Sequence, residues 1–285
     1  MSREMETANV ARSNKGWFAA HKWLILRRTS QFAVLALFLA GPLTGIWILK
    51  GSLAASRLLD TVPLVDPYIL LQSVFAGHPA SATALTGAVI IAAFYLLVGG
   101  RVYCSWVCPV NMITDLAAWL RSRLGWREGM IFSSDIRYWI LVMALVLSAL
   151  CGMVAWELIN PVTTLYRGLL FGMGLAWLLP LAVFLFDLLV ARRGWCGHLC
   201  PVGAFYSLLG LLSPLRVRAV GRQKCTKCMD CYAVCPEPYV ISPALTGADE
   251  GQGPVILSPN CTNCGRCIDI CAEQVFSFGS RFDNR

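Results

Sequence analysis

The sequence predicts an α-helical membrane protein of four transmembrane helices, arranged as a duplicated two-helix hairpin, followed by a small cysteine-rich α+β domain. Three observations carry this reading. Hydrophobic residues make up 57% of the 285-residue chain and charged residues only 14%, against about 25% charged in soluble domains. Four apolar stretches each approach the roughly 20 residues a helix needs to cross a hydrocarbon core of about 30 Å. Of the 13 cysteines, eight fall in two runs after residue 220.

The first stretch runs from Gln31 to Leu49 and contains Gly41-Pro42; the second runs from Thr83 to Gly100, the third from Tyr138 to Ile159, the fourth from Phe171 to Ala191. Gly and Pro are tolerated in such spans because neighbouring helices satisfy the freed backbone groups. No small-residue cleavage site closes the first stretch, so it reads as a span and not as a removable signal.

Lysine and arginine set the orientation. Arg3, Arg12, Lys15, Lys22, Arg27 and Arg28 precede the first span, Arg101, Arg121, Arg123, Arg127 and Arg137 follow the second, and Arg192 and Arg193 follow the fourth. The other two loops hold only Lys50, Arg57 and Arg167. The positive-inside rule then puts both termini in the cytoplasm of a bacterial inner membrane, with the loop 50–82 and the turn at Asn160-Pro161 outside. Trp23, Trp106, Trp156 and Trp195 lie near span ends, as an interfacial belt would. These flanks account for the net charge of +8. No aromatic–basic motif of the kind RNA modules use is present, so no nucleic-acid partner is expected. Residues 1–30 read as a cytoplasmic segment, 31–214 as the membrane domain and 215–285 as the cysteine-rich domain.

The second and fourth spans end alike. Arg101-Val-Tyr-Cys104-Ser-Trp-Val-Cys108-Pro109 is matched 92 residues on by Arg193-Gly-Trp-Cys196-Gly-His198-Leu-Cys200-Pro201. A duplicated two-span hairpin accounts for this. If the turns are helical, residues i and i+4 share a face and each pair presents two thiolates together. Cys104, Cys108, Cys196 and Cys200 are therefore candidates for an additional redox or metal site, for redox-active disulfides or for partner docking, and the spacing does not choose among them. Cys151, alone in the third span, reads as a small packing residue.

Cys225-x2-Cys228-x2-Cys231-x3-Cys235-Pro236 is the bacterial ferredoxin run, and Cys261-x2-Cys264-x2-Cys267-x3-Cys271 repeats it with Ala272 in place of Pro. Three cysteines at two-residue gaps wrap one cube, and the fourth reaches the other. Two [4Fe–4S] clusters are expected, one on Cys225, Cys228, Cys231 and Cys271, the other on Cys261, Cys264, Cys267 and Cys235. Structural zinc needs only four thiolates, and disulfides are reduced in the cytoplasm. Short strands are expected at Tyr239–Ile241, Val255–Leu257 and Val275–Phe278, with each cluster above a short helix. Lys224, Lys227 and Arg266 beside the ligands read as solvated surface, or as a docking patch for an acidic partner.

This layout resembles the NapH family, the ferredoxin-type membrane quinol dehydrogenases of the periplasmic nitrate reductase system. Cys104-Ser-Trp-Val-Cys-Pro, Gly194-Trp-Cys-Gly-His-Leu-Cys-Pro-Val-Gly, Cys228-Met-Asp-Cys231 and Asp60-Thr-Val-Pro-Leu-Val-Asp-Pro67 carry the resemblance, which covers nearly the whole chain. It implies menaquinol or ubiquinol as substrate, a NapG-like periplasmic iron–sulfur protein as electron acceptor, and a membrane cytochrome c beyond it.

Quinol oxidation needs proton acceptors, and ionisable groups at membrane depth are the default candidates. Asp187 in the fourth span, Glu157 near the outer end of the third and His78 before the second fit that role, with Asp60 and Asp66 in the same outer loop as His78. The bland alternative for Asp187 is pairing with Arg101, Arg192 or Arg193. All the cluster ligands fall on the cytoplasmic side, whereas the implied acceptor is periplasmic. A rival class of function is an assembly or maturation factor that reduces a metal or disulfide in a client protein; a third is a membrane anchor that recruits a soluble partner.

Overall fold

The computed structural model describes residues 11, 13–126, 129–130, 132–172 and 174–282. Arg3, Arg12 and Arg127, counted above among the flanking cations, lie outside the described residues.

Helix α1 spans Trp17–Thr44, 28 residues. Among the described residues it is the one helix long and apolar enough to cross a membrane. It begins well before the expected Gln31 and stops short of Leu49, so residues 17–30 run on into the expected span as one helix. Its first half has a protein surface to lie on: the Asp269 carboxylate accepts from the backbone N–H groups of Trp23 and Leu24 at 3.1 and 2.9 Å. Gly45, at φ 77°, ends the helix in the left-handed conformation that glycine adopts freely.

The expected outer loop is structured. Strands β1 (Leu49–Gly51), β2 (Ala55–Leu58) and β3 (Val62–Val65) form an antiparallel sheet in that order. Helix α2 (Pro67–Phe75) follows, then α3 (Ala82–Val98) and α4 (Val110–Arg123). Beyond these come α5 (Ile136–Cys151), a 3-10 turn at Ala155–Leu158, α6 (Pro161–Phe171), and α7 (Leu178–Leu185) with a π turn over Phe186–Val190.

Of the four expected spans, the first is a helix of spanning length, and the other three positions hold the shorter apolar helices Ala82–Val98, Ile136–Cys151 and Leu178–Val190. Helix α3 has 17 residues, or about 25 Å at 1.5 Å per residue. Glycines set these lengths. Gly99 (φ 122°) stops α3, Gly152 (φ 65°) caps α5 and Gly172 (φ 93°) stops α6 inside the expected fourth span. The bundle is still turned outward in its polarity. Val89, Phe94, Leu97, Trp139 and Leu150 are exposed, while Gln31, Gln72 and Ser148 are buried.

After α8 (Pro201–Leu209) the C-terminal unit opens with β4 (Leu215–Arg218), which pairs antiparallel with β5 (Ser277–Ser280). Its core gathers Val217, Val240, Ile241, Ile256, Val275 and Phe276. Short helices α9 (Asp230–Val234), α10 (Ser242–Thr246) and α11 (Arg266–Ile270) complete it. The strand expected at Tyr239–Ile241 is instead a 3-10 turn over Pro238–Val240, where proline supplies the fixed φ of a turn and no ladder donor. Of Val255–Leu257, Val255 makes an isolated bridge to Arg218, and the last strand starts at Ser277, later than expected.

Candidate metal centre

The two cysteine runs have the same backbone. Lys227 and Met229 in the first run have φ 56° and 67°, and Asn263 and Gly265 at the matching positions of the second have φ 45° and 72°. Such alternation turns successive N–H groups toward one point, the concavity that binds anions. The Lys227 N–H accordingly faces Cys225 Sγ at 3.4 Å, and the Val275 N–H faces Cys271 Sγ at 3.4 Å. Cys225, Cys228, Cys231 and Cys271 line one cavity together with Ile270 and Val275. Cys235 lies within electrostatic reach of Cys261 and Cys264, and Cys267 within reach of all three. The tertiary structure thus brings each run's fourth cysteine to the other run's first three. All eight thiols are free, and with amide donors aimed at sulfur they fit two [4Fe–4S] clusters. Each of the short helices α9 and α11 begins inside its run and carries that run's third cysteine.

Two buried carboxylates join this unit to the helices. Asp115 of α4 meets Arg28 at 2.5 Å, Arg266 at 2.6 Å, Arg193 at 3.3 Å and Arg27 at 3.8 Å. Burial alone would push its carboxyl up; the four guanidiniums, Arg266 foremost, outweigh that and hold it well below the usual carboxylate range. Arg266 is therefore buried and paired, neither solvated surface nor docking patch. Glu237, two residues after Cys235, meets Arg101 at 2.7 Å and Arg137 at 2.9 Å. Burial opposes its ionisation too, and Arg101 and then Arg137 overcome it, lowering its pKa.

Arg101 and Arg193 each stand three residues before a repeated cysteine motif, and each answers one of these carboxylates. The motifs themselves are π turns, Tyr103–Val107 and Trp195–Leu199. They close with Cys108 N–H to Tyr103 C=O at 3.0 Å and Cys200 N–H to Trp195 C=O at 2.9 Å. The expected α-helical turn is thus one residue wider. Each terminal cysteine precedes proline and takes an extended conformation, as steric clash with the proline ring demands. The first turn is tied to the cysteine-rich unit: Ser105 Oγ donates to the Thr262 carbonyl at 2.8 Å, and Trp106 Nε1 to that of Asn263 at 3.1 Å. Arg101 also donates to the Asn260 and Cys196 carbonyls, which links the two turns.

Cys104, Cys108, Cys196 and Cys200 line a single cavity, with Asp66, Trp156, Asn160 and Trp195 in its wall. Trp156, expected in an interfacial belt, is buried here. Asp66 and Asn160 are the N-caps of α2 and α6; their side chains accept from the N–H of Tyr68 and Val162 at 2.9 and 3.1 Å. Both caps precede proline, and they lie 94 residues apart. That near-match to the cysteine offset was the signal in the sequence for a second repeated feature.

The three expected proton acceptors are not brought together. Glu157 receives Asn160 Nδ2 at 2.8 Å and so sits beside the cavity wall. Asp187 is fully buried and accepts from the Trp195 backbone N–H at 2.9 Å, capping the second π turn where pairing with an arginine was the bland expectation. His78 is exposed beyond α2, away from the cavity lining. Cys151 is exposed at the end of α5.

A family model described as a 4Fe-4S binding domain matches residues 81–127 and 173–222, each match containing one of the two cysteine-bearing π turns. A second, described as a 4Fe-4S dicluster domain, matches residues 219–272. The chain is 51% identical to the ferredoxin-type protein NapH of Escherichia coli, over 99% of this chain and 98% of the relative. It is 54% identical to the methylamine utilization ferredoxin-type protein MauN of Paracoccus denitrificans, over 97% of each. The chain belongs to the NapH/MauN family of ferredoxin-type proteins. No solved structure matches it. It is thus a ferredoxin-type electron transport protein, and the 4Fe-4S models together match residues 81–127 and 173–272. NapH of Haemophilus influenzae, 50% identical over 96% of this chain, is a further relative of the same name.

Proposed function

We propose that this chain is a multi-pass inner-membrane protein, both termini cytoplasmic, that oxidises quinol and delivers electrons by way of two [4Fe–4S] clusters to an iron–sulfur partner. The observation that carries this reading is the gathering of eight free cysteines into two crossed sets, with two buried carboxylate–arginine clusters, on Asp115 and on Glu237, joining the second set to the helices. Bound clusters would supply one-electron carriers, with potentials set by hydrogen bonding and exposure. The residues of this chain supply the rest. Cys225, Cys228, Cys231 and Cys271 hold one cluster, and Cys261, Cys264, Cys267 and Cys235 the other. Arg101, Arg137 and Glu237 fix the distance between the second set and the helices.

The apolar side chains exposed on α3 and α5 support a lipid-facing belt. The NapH relatives support a NapG-like periplasmic acceptor, a membrane cytochrome c and nitrate reductase as the terminus. MauN at comparable identity makes the terminal acceptor a separate matter from the carrier role. Glu157, beside the Asn160 cap, is our first choice of proton acceptor; Asp187 and His78 follow.

The test is EPR of the anaerobically purified protein in nanodiscs, before and after menaquinol or ubiquinol. New reduced [4Fe–4S] signals that need the quinol support quinol oxidation by this chain. Clusters that respond to dithionite and ignore both quinols move the reading to the assembly-factor class. Glu157→Gln should slow quinol-dependent reduction and leave dithionite reduction unchanged.

A further inference from the structure

Asp115 neutralises only part of the positive charge gathered around it. Helices α1 and α4 and the C-terminal unit meet at an open groove of about 690 Å³, with Asp115 in its wall. Among the described residues its cationic lining is Arg27, Arg28, Arg192, Arg193 and Arg266, and its carboxylates are Asp115 and Asp269. Arg266 Nη1 also stands 3.7 Å from Cys264 Sγ, so it answers the second cysteine set as well as Asp115. With Arg266 set aside, four guanidiniums face two carboxylates. Two of the four are short of acceptors. Arg27 is 1% exposed, its Nε and Nη1 find no hydrogen-bond acceptor among the described residues, and its ion pair with Asp115 is long at 3.8 Å. Arg193 Nε is orphaned in the same way. Buried donors are almost always satisfied, so the groove suits a further anion.

The apolar side of the groove narrows the kind of anion. Leu24, Arg28 and Phe32 follow one another at four-residue intervals along one face of α1. Leu116 and Trp119 of α4 line the same groove. Leu24, Phe32, Leu116 and Trp119 are all exposed. Phe32 lies about 6 Å along the helix from Arg28, at 1.5 Å per residue, so an apolar wall begins one turn from the guanidiniums. The Arg123 guanidinium lies over the Trp119 ring at 5.3 Å, a pairing that suits a membrane–water interface, where Trp is enriched. A small soluble anion would use the arginines and leave the apolar wall wet. An amphiphile with an anionic head and apolar tails uses both, and basic pockets between helices on the cytoplasmic side take such headgroups. A zwitterionic headgroup brings its own cation and leaves the surplus charge standing; a headgroup of net negative charge does not.

We propose that this groove binds an anionic phospholipid at the cytoplasmic face, its phosphate on Arg28 and Arg192 in front of Arg27 and Arg193, its acyl chains along Phe32, Leu116 and Trp119. Arg28 is partly exposed and Arg192 exposed, so both are within reach of a headgroup. The site rests on the membrane placement proposed above and is independent of quinol oxidation.

The experiment is native mass spectrometry of the full, cluster-loaded chain released from nanodiscs of equal phosphatidylglycerol and phosphatidylethanolamine. Wild type should retain phosphatidylglycerol over phosphatidylethanolamine by about tenfold, as surplus cations near a membrane surface warrant. Arg28→Gln with Arg192→Gln should bring the ratio to about one while iron content stays at the wild-type value, which shows that the variant folds. A ratio unchanged in the double variant, or equal retention of the two lipids by wild type, overturns the site. If the double variant does not accumulate, wild type decides. A photoactivatable phosphatidylglycerol should crosslink to Phe32, Leu116 and Trp119 ahead of the similarly exposed Phe94 and Leu97 of α3; crosslinks spread evenly over both faces overturn the site. Displacement of the lipid by inorganic phosphate alone would assign the groove to a free anion and overturn the lipid. The membrane placement fails separately. A chain recovered in the soluble fraction without detergent would sink that placement and the site with it, whereas a chain that needs detergent and retains both lipids equally sinks the site alone.

Discussion

Arg101 Nη1 donates to Glu237 Oε1 at 2.7 Å with both side chains almost wholly buried. Arg137 donates to the same oxygen at 2.9 Å. One carboxylate from the cysteine-rich unit therefore answers two guanidiniums from the helices. Glu237→Gln should cost about 3–5 kcal/mol, because removing one member of a buried ion cluster strands the others. The fall in unfolding midpoint measures it, and a change within about 0.5 kcal/mol would falsify the pairing as a structural joint.

Asp115 gives the joint a pH dependence. Its folded pKa is depressed, and its unfolded value lies near about 3.9. The stability it contributes is therefore fully present above the unfolded value and lost as pH falls through the folded one. Hydrogen exchange in the first half of α1 should rise as pH drops below about 4. Asp115→Asn should be less stable at neutral pH and show a shallower loss on acidification; an identical acid profile in the variant would remove Asp115 from the account.

Gly265 is where the two cysteine runs differ for a structural reason. A Cβ there would stand 2.5 Å from Trp23 Cγ, and its φ is 72°. Gly265→Ala should cost about 1–3 kcal/mol from strain and overpacking. Trp23→Ala in the same chain should recover the overpacking part and leave the backbone part. At the matching Met229, which already carries a side chain at φ 67°, substitution by Ala should be nearly neutral in the same thermal melt.

Crossed ligation has its own signature. Cys271→Ser should perturb the EPR signal of the cluster on Cys225, Cys228 and Cys231, and Cys235→Ser that of the cluster on Cys261, Cys264 and Cys267. Were each substitution to disturb the cluster of its own run, the ligand sets drawn from the spacing would be wrong.

Much of the candidate site was legible because its signals are local. A Cys-x2-Cys-x2-Cys loop specifies its own backbone, and the crossing of the fourth cysteine follows from reach. The duplication was equally plain in the 92-residue offset of the π turns. The span lengths were less so. Apolar composition says that a stretch prefers lipid or core, and does not say where Gly99, Gly152 or Gly172 turns the chain. Arg266 read as surface because a charge beside a ligand loop carries no local sign that Asp115, 151 residues away, will bury it. Trp156 read as interfacial for the same reason.

By itself the sequence determined the two ferredoxin-type cysteine runs, the repeated cysteine turns, the apolar character of the helices and the family, because each depends on spacing or composition within a short window. Only the tertiary structure decided that the four π-turn thiols face one cavity, that two capped helices start at its wall, and that Asp115 and Glu237 each hold arginines from distant segments. Those are meetings of residues far apart in the chain, selected by the free energy of burying charge with its partner and by close packing of the helices, and no local pattern encodes them.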